Sequence, residues 1–278
     1  MSPIKEPCFF APEAVDVSPE ARAGYEADAP ALRAYLDGPM DEKRDHGLVL
    51  GWGDYLKLFK RVTTERVIGE ASVAYLASPP AAAAIAERIP QARIAMMLRN
   101  PIDRLFSRYL AARARGDRAG FPAWVEARLV EEQARTTPGG PIWPGRYGVH
   151  VQRYLGVFAA RDVRVYLYDD YVRSPSVIIS DLCSFLGVDA SHPIDVSRRY
   201  NVTLSPRWPA LHARVRPLGR SVLDRLPEGA AARVRRVFLA PRRFVPTADD
   251  RARAIDVYRE DVCVLETLIG RELSAWLS

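Results

Sequence analysis

The sequence predicts an α/β protein in which a parallel sheet is flanked by helices, followed by a helical C-terminal region. Two short apolar runs, at residues 92–98 and 163–168, have the length and composition of buried strands. A helical pattern that begins at a proline follows each run, at Pro101 in the first case and at Pro175 in the second. Strands that alternate with helices of this length favour parallel pairing with right-handed crossovers. Beyond Asn201 the pattern becomes mostly helical.

The elements that lead into the first of these strands are less regular. Residues 66–68 form a third, shorter strand candidate, and a helix is expected over residues 79–88 because Pro90 stops it. The strand that follows ends at Arg99, and the next helix is expected over residues 101–114. This order of strand, tight turn and helix is the unit from which the predicted sheet is built.

The region between the two strand-helix units has a different character. Residues 121–133 are expected to be helical, whereas residues 136–144 (TTPGGPIWP) are too rich in proline and glycine to be anything but a loop. Loops of this kind often line a substrate cleft. After the second strand, the helix that starts at Pro175 is expected to end at Leu186, where Gly187 closes it.

The C-terminal part reads as two amphipathic helices, at residues 208–218 and 249–268. Gly270 breaks the second helix, and residues 273–277 are expected to pack a final tryptophan against the domain. The chain contains no internal repeat and no low-complexity segment.

Composition limits the class of protein. The 278 residues are 48% hydrophobic and 27% charged, the balance of a folded globular chain and not of a disordered one. We expect a single domain over residues 1–278, with an α/β core at 1–200 and the C-terminal region at 201–278. No stretch approaches the ~20 apolar residues of a membrane helix, and residues 1–10 lack the apolar part of a signal peptide. The expectation is therefore no membrane span and a cytoplasmic location.

The charge balance and the cysteine count exclude further classes. The net charge of +6 would favour polyanionic partners, and the arginines at 233–236 and 242–243 could form either a nucleic-acid patch or solvated helix faces. Solvated faces are favoured because aromatic residues are sparse there and no recognised binding motif accompanies them, so no nucleic-acid partner is expected. Cys8, Cys183 and Cys263 form no Cys-x-x-Cys pair and the histidines are scattered, so we expect neither a disulfide framework nor a metal site.

The sharpest chemical signal is the run LRNPIDRLFSRY at residues 98–109. Arg99 ends a strand and precedes a helix N-terminus, where free N–H groups and a forked guanidinium favour a phosphate. Ser107 lies two turns into the same helix and would add a hydroxyl. The alternative is that Arg99 pairs with Asp103 and that Ser107 faces solvent, and the residues alone leave both interpretations open.

This run resembles the 3′-phosphate-binding motif of the sulfotransferases that use 3′-phosphoadenosine 5′-phosphosulfate (PAPS), in particular the bacterial and heparan-sulfate-type members. Four further segments are similar to those that accompany the motif in that family. They lie at residues 2–10 (SPIKEPCFF), 69–75 (GEASVAY), 145–158 and 163–188. The resemblance implies a P-loop-NTPase-like α/β fold and transfer of a sulfuryl group from PAPS to a hydroxyl or amine.

The resemblance also implies roles for particular residues. Arg99 and Ser107 would bind the 3′-phosphate of PAPS, and Arg207 would contact phosphate from a loop that closes over the nucleotide. Glu6 would be the general base that takes a proton from the acceptor, and Lys5 would hold that carboxylate ionised or touch the transferring group. Without the resemblance, Lys5 and Glu6 would be interpreted as an exposed charged pair at a chain end.

The acceptor is left open among small molecules, lipids and carbohydrates. Glu70 and Ser72 match acidic and hydroxyl positions near the acceptor in the family, but Ala71 stands where heparan-sulfate-type members commonly carry a lysine. This difference argues against a heparan-like acceptor.

One family element has no counterpart in the sequence. The loop that grips the 5′-phosphosulfate, close to Pro-Lys-x-Gly-Thr-Thr, is not found, and neither glycine cluster, at residues 51–53 or 138–141, replaces it. The expectation is that the first strand-loop-helix unit, ~30 residues, is missing from the chain, which would weaken both the sheet and the transfer of sulfate. The alternative function is therefore a non-catalytic remnant that binds a nucleotide or another polyanion.

Overall fold

The computed structural model describes residues 1–14, 19–45, 47–135, 139–191, 204–206, 239–241 and 245–278. The described helices are α1 (Pro19–Asp37), α2 (Trp52–Lys57), α3 (Ala74–Ala77), α4 (Ala81–Arg88), α5 (Pro101–Ala114), α6 (Phe121–Ala134), α7 (Tyr147–Leu155), α8 (Tyr168–Arg173), α9 (Pro175–Leu186) and α10 (Ala248–Ile269). The described strands are β1 (Ile94–Leu98), β2 (Val163–Leu167), β3 (Leu204–Pro206) and β4 (Leu239–Pro241).

The predicted parallel sheet is present in the pairing of β1 with β2. The register runs from Ile94 opposite Val163 to Leu98 opposite Leu167, so both strands end at the same edge. Along β1 the side chains alternate between a buried and an open face, with Met96 7% exposed and Met97 46% exposed. The parallel sheet, its flanking helices and the helical C-terminal region confirm the predicted fold class.

The helices that follow the two strands begin and end as the sequence indicates. In α5, Pro101 takes the first position and the Asn100 side chain caps the helix. In α9, Pro175 takes the first position and Gly187 ends the helix in the left-handed conformation, with a φ of 73°. The predictions for α4, α6 and α10 are confirmed with shifts of one or two residues at their ends.

The strand predicted at residues 66–68 is wrong. This segment is irregular, with Val67 39% and Ile68 49% exposed. Its β-branched side chains suit a strand, but among the described residues no strand lies beside it to bury them. The segment is instead fixed at its end, where the Ser2 amide donates to the Gly69 carbonyl at 2.8 Å.

The N-terminal residues are held against α1 and the segment that follows it. The backbone of Lys5 donates to the Arg44 carbonyl at 2.9 Å, and Arg44 donates back to Pro3 at 3.0 Å. Ile4 is 1% exposed and joins Leu36 in the core cluster. The loop that carries Glu6 is therefore fixed on its N-terminal side.

The C-terminal helix α10 packs against α7. The Asp261 carboxylate accepts hydrogen bonds from the amides of Gly148 at 2.8 Å and Val149 at 3.1 Å. These amides belong to the first turn of α7, whose N–H groups lack partners within the helix. Beyond α10, the predicted final tryptophan, Trp276, is buried and donates from Nε1 to Asp169 at 3.0 Å.

The remaining C-terminal expectations have mixed outcomes. A short antiparallel pair, β3 with β4, occurs where the sequence pattern predicted mainly helix. The helix expected at residues 208–218 and the phosphate contact expected from Arg207 lie outside the described residues. Within the described part of the chain, no helix combines the length and the apolar character needed to cross a lipid bilayer.

Candidate functional site

Arg99 lies at the edge of the sheet where both parallel strands end. Leu98, the last residue of β1, is fully buried, whereas the Arg99 side chain is exposed. The guanidinium carbon of Arg99 lies 6.0 Å from the ring centroid of Tyr168, the first residue after β2. Burial raises the pKa of Tyr147 at the start of α7, and the nearby charges of Arg104 and Arg99 oppose this rise. Arg99 thus lies close enough to Tyr147 to affect it, while its guanidinium stays open to a ligand.

The N-terminus of α5 does not offer the free amides that the sequence predicted. Asn100 Oδ1 accepts from the amides of Ile102 at 2.9 Å and Asp103 at 3.4 Å, and Pro101 has no N–H. The expectation of free N–H groups for an anion is therefore wrong, because the helix caps itself. An anion at this end must be bound by side chains, and the sequence candidates are Arg99 and Ser107.

Ser107 lies on the flank of α5 that faces away from the core. The residues that bury their side chains, Ile102, Leu105, Phe106 and Tyr109, form one stripe, and Ser107 is half-buried on the other side. Among the described residues, Arg99 forms no ion pair with Asp103, so the pairing considered as an alternative is not found.

The proline- and glycine-rich segment packs onto this end of the fold over its described residues, 139–144. Arg104 of α5 donates to the Pro141 carbonyl at 2.9 Å, and Trp143 donates from its indole to the Ala77 carbonyl at 2.7 Å. His150 in α7 is hydrogen-bonded through Nε2 to the Trp143 carbonyl at 2.9 Å. The segment therefore connects α3, α5 and α7.

A second group of polar side chains surrounds Glu6. The Cys8 amide donates to Ser72 Oγ at 3.1 Å, and the Ser72 hydroxyl donates to Glu70 Oε2 at 2.9 Å. The Phe10 amide donates to the Tyr75 hydroxyl at 3.4 Å. The chain segment of Glu6 is thereby joined to the segment of Glu70, although 64 positions separate Cys8 from Ser72.

The two carboxylates share one electrostatic environment. Burial raises the pKa of Glu70, the hydroxyls of Tyr75, Ser72 and Tyr55 oppose this rise, and the charge of Glu6 adds to it. Burial, followed by the charge of Glu6, raises the pKa of the Cys8 thiol to about 11. The charges of Glu6 and Glu70 therefore both act on the Cys8 thiol.

Lys5 and Glu6 differ in their surroundings although they are neighbours in sequence. Lys5 is exposed and only its backbone is bound, whereas Glu6 is half-buried beside the Glu70 cluster. Glu6 thus has the surroundings of a site residue. The structure does not bring the Lys5 side chain into the same group of contacts.

Helix α7 connects the two groups. The charge of Arg99 acts on its Tyr147 hydroxyl, and its Tyr154 hydroxyl donates to the Tyr75 carbonyl at 2.9 Å. Seven residues make almost two complete turns, so both tyrosines lie on one face, separated by about 10 Å along the helix axis. One helix thus lies between Arg99 and the segment that carries Glu70.

Sequence reasoning missed the tyrosines of this site. Of these, Tyr55 and Tyr147 are buried, Tyr75 is half-buried and Tyr168 is exposed. Tyr147 and Tyr75 lie in the segments compared with the family, which is the signal that could have drawn attention to them. Tyr55 has no such signal, because its contact with Glu70 depends on how the chain folds back.

Known proteins resemble this chain in both sequence and fold. Residues 79–203 match the family described as the sulfotransferase domain. A solved structure of a sulfotransferase from Alicyclobacillus acidocaldarius is 27% identical with a TM-score of 0.64, covering 100% of this chain and 87% of that one. The chain is thus similar to sulfotransferases, in sequence over residues 79–203 and in fold to a solved bacterial sulfotransferase.

The curated proteins that this chain resembles are much longer. The bifunctional heparan sulfate N-deacetylase/N-sulfotransferase 1 of Xenopus tropicalis is 26% identical over 231 residues, which are 77% of this chain and 24% of that protein. The corresponding enzyme 4 of Mus musculus is 25% identical over 130 residues, which are 45% of this chain and 15% of that protein. The chain thus spans about a quarter or less of the length of these relatives. Arg99 and Ser107 lie inside the family match, whereas Glu6 and Glu70 lie in the part covered by the structural likeness.

Proposed function

We propose that this chain is a PAPS-dependent sulfotransferase that moves a sulfuryl group to a hydroxyl or amine. The observation that carries the proposal is the arrangement along α7, where an accessible Arg99 lies near one end and the half-buried Glu6 and Glu70 lie near the other. The acceptor is a small molecule, a lipid or a carbohydrate. The heparan sulfate relatives favour a carbohydrate, whereas Ala71 argues against a highly anionic one.

The 3′-phosphate of PAPS would be bound by side chains alone. Arg99 presents a forked guanidinium whose two N–H groups suit the oxygens of a phosphate, and Ser107 adds a hydroxyl donor. This end of the donor therefore fits the residues present.

Glu6 would act on the acceptor. PAPS supplies the sulfuryl group, and adenosine 3′,5′-bisphosphate leaves when the bond from sulfur to the phosphate oxygen breaks. The acceptor oxygen or nitrogen forms the new bond to sulfur and loses its proton to the Glu6 carboxylate. Lys5, exposed next to Glu6, could reach the negative charge of the transferring group through its flexible stem.

The 5′-phosphosulfate end of the donor has no corresponding residues in this sequence. The glycine cluster at residues 51–53 opens the six-residue helix α2 and does not follow a strand, so it does not form a phosphate loop. Without a lysine and backbone amides at that point, charge on the leaving phosphate would be poorly stabilised. This observation favours the second candidate, a non-catalytic protein that binds the nucleotide.

Two measurements test the proposal and separate the candidates. The first is binding of adenosine 3′,5′-bisphosphate by calorimetry, for which Arg99→Ala should weaken affinity about 10- to 100-fold and Ser107→Ala about 5-fold. Arg118→Ala, which removes an exposed arginine in the loop before α6, is the matched control and should leave affinity unchanged.

The second measurement is transfer of labelled sulfate from PAPS to oligosaccharide, phenol, alcohol and amine acceptors. Glu6→Gln should abolish transfer while leaving nucleotide affinity nearly intact. Binding without transfer to any acceptor class would support the non-catalytic candidate. Nucleotide affinity that is insensitive to Arg99→Ala would contradict both.

A further inference from the structure

The loop that carries Glu6 has an uncommon backbone conformation. Glu6 has a φ of 55° and Cys8 a φ of 53°, so two residues with side chains adopt the left-handed region within three positions. A Cβ atom makes this region unfavourable, and such residues keep it only where their surroundings fix it. The contacts of this loop therefore determine the direction of the Glu6 carboxylate.

Two hydroxyl groups from a distant segment bind the amides of this loop. Ser72 Oγ accepts from the Cys8 amide at 3.1 Å, and the Tyr75 hydroxyl accepts from the Phe10 amide at 3.4 Å. Cys8 is buried, and its amide would lose its partner without Ser72. Ser72 thus holds the loop at Cys8, next to Pro7, whose carbonyl accepts from the Val49 amide at 3.0 Å.

Glu70 orients the Ser72 hydroxyl. A serine hydroxyl has one proton, and here it is donated to Glu70 Oε2 at 2.9 Å, which leaves the lone pairs of Oγ for the Cys8 amide. Among the described residues, the other carboxylate oxygen of Glu70, Oε1, is buried without a hydrogen-bond partner. The contacts thus run from Glu70 through Ser72 to the backbone at Cys8, two residues from Glu6.

We propose that Glu70 and Ser72 are positioning residues for Glu6, which act by fixing the left-handed loop through the Cys8 amide. This inference rests on the proposed function for the role of Glu6 as the base. In this inference Glu70 acts through Ser72 and does not contact the reacting atoms. It also explains why a half-buried carboxylate, the strongest acceptor available for a serine proton, lies next to Ser72.

The first test measures the loop directly. Ser72→Ala should increase the hydrogen exchange rate of the Cys8 amide about 10-fold or more relative to the Trp124 amide, which is bonded inside α6. Ser72→Thr keeps the hydroxyl and should restore slow exchange. Glu70→Ala should also increase exchange, because Ser72 then loses the acceptor for its proton.

Ser78→Ala is the matched control for this test. Ser78 donates its hydroxyl to Glu13 at 2.5 Å, a serine–glutamate pair of the same kind, and among the described residues no hydrogen bond joins it to residues 5–10. This variant should leave Cys8 exchange unchanged. The proposal is overturned if the Cys8 amide exchanges at the unaltered rate in Ser72→Ala, or if its exchange increases equally in Ser78→Ala. Both results hold whether or not the chain transfers sulfate.

The second test measures turnover in the same variants. Ser72→Ala should lower kcat at least 10-fold, with affinity for adenosine 3′,5′-bisphosphate unchanged, and Ser72→Thr should recover it. Normal kcat in Ser72→Ala overturns the positioning role. If no acceptor is sulfated by the unaltered chain, the assignment of Glu6 as a base fails, and the exchange rates alone decide whether Ser72 and Glu70 fix the loop.

Discussion

At the scale of single residues, His150 shows how completely the fold can remove a titratable group from water. Its side chain is fully buried, and Nε2 is bound to the Trp143 carbonyl at 2.9 Å, which requires the proton on Nε2. Among the described residues, Nδ1 is buried without a hydrogen-bond partner. Burial lowers the pKa of His150 to about 4, and the charges of Arg153, Arg104 and Arg146 also lower it. The folded protein therefore holds this imidazole neutral.

Because the folded protein holds His150 neutral, we expect it to lose stability in mild acid. The unfolded imidazole binds a proton below its ordinary pKa of 6.5, whereas the folded one binds it only near 4. Between these values the unfolded state binds more protons, so the free energy of unfolding should fall as the pH decreases, by about 3 kcal/mol in total. Urea unfolding at several pH values between 4 and 7.5 measures this change.

A non-titrating variant isolates the contribution of His150. His150→Gln keeps an N–H donor for the Trp143 carbonyl and should show a flatter dependence of stability on pH over the same range. Identical pH dependence in both proteins would assign the acid sensitivity to other groups.

The site residues differ in how far each could be predicted from the sequence. Arg99 could be picked out from the sequence because it ends an apolar run and precedes a helix start, features that local patterns reveal. Glu6 needed the family resemblance, since nothing local distinguishes it from an exposed charge. The contact of Glu70 with Tyr55 could not be predicted, because it depends on chain folding and not on spacing. The binding and catalytic roles of all these residues stay predictions.

At the scale of elements, helices α7 and α10 pack against each other at very short distances. A Cβ atom at Gly148 would lie 2.5 Å from the backbone oxygen of Asp261, and one at Gly145 would lie 2.7 Å from the Tyr258 hydroxyl. Glycine at these positions lets the two helices approach closely, and the same approach brings Asp261 to the first turn of α7.

This contact predicts that Gly148→Ala is strongly destabilising. A backbone oxygen in a packed helix cannot move aside, so the helices must separate, at a cost of about 3 kcal/mol in the free energy of unfolding. Gly24→Ala is the control, since Gly24 lies in α1 with nothing within 4 Å of its added Cβ, and alanine there should stabilise by about 1 kcal/mol. Chemical denaturation of both variants provides the comparison, and similar stabilities would contradict this account.

Elements with strong local signals were predicted well and the others were not. The helices α5 and α9 carry a proline at the start, and α9 also has a glycine at its end, so their limits could be read directly. The strand expected at residues 66–68 failed because β-branched residues form a strand only beside a partner. Helix α1 was not predicted, and it contains Pro30 in its interior, a residue that the sequence rules treat as a helix breaker.

At the scale of the whole molecule, the C-terminal residues return to the edge of the sheet. Arg271 forms an ion pair with Asp170, which lowers the pKa of that carboxyl, and Trp276 donates to Asp169 at 3.0 Å. Both aspartates lie in the first turn of α8, directly after Tyr168. Because the ring of Tyr168 faces Arg99, the C-terminal residues support the part of the fold where Arg99 lies.

This connection predicts a coupled effect of changes at Trp276. Trp276→Ala should lower the free energy of unfolding by about 3–5 kcal/mol, because a large buried side chain is lost. Trp276→Phe keeps an aromatic ring beside Tyr147 but loses the N–H donor, so a cost of about 1 kcal/mol is expected. Thermal unfolding and binding of adenosine 3′,5′-bisphosphate should be measured together. Weaker binding in Trp276→Phe would support the connection, and unchanged binding would limit Trp276 to a role in stability.

The global architecture could be predicted further than its details. The alternation of strands and helices indicated a parallel sheet, because short apolar strands joined by helices have few other arrangements. The antiparallel pairing of β3 with β4 was missed, since each strand is only three residues long and ends in proline. A single domain over residues 1–278 stays a prediction.

The alternation along β1 also places two adjacent methionines in opposite chemical environments. Dilute hydrogen peroxide should convert Met97, whose side chain is on the open face, to the sulfoxide well before Met96, whose side chain is in the core. The ratio of the two oxidised peptides in a mass spectrum would therefore report the register of the strand. A slip by one residue would exchange the two methionines between faces and invert that ratio.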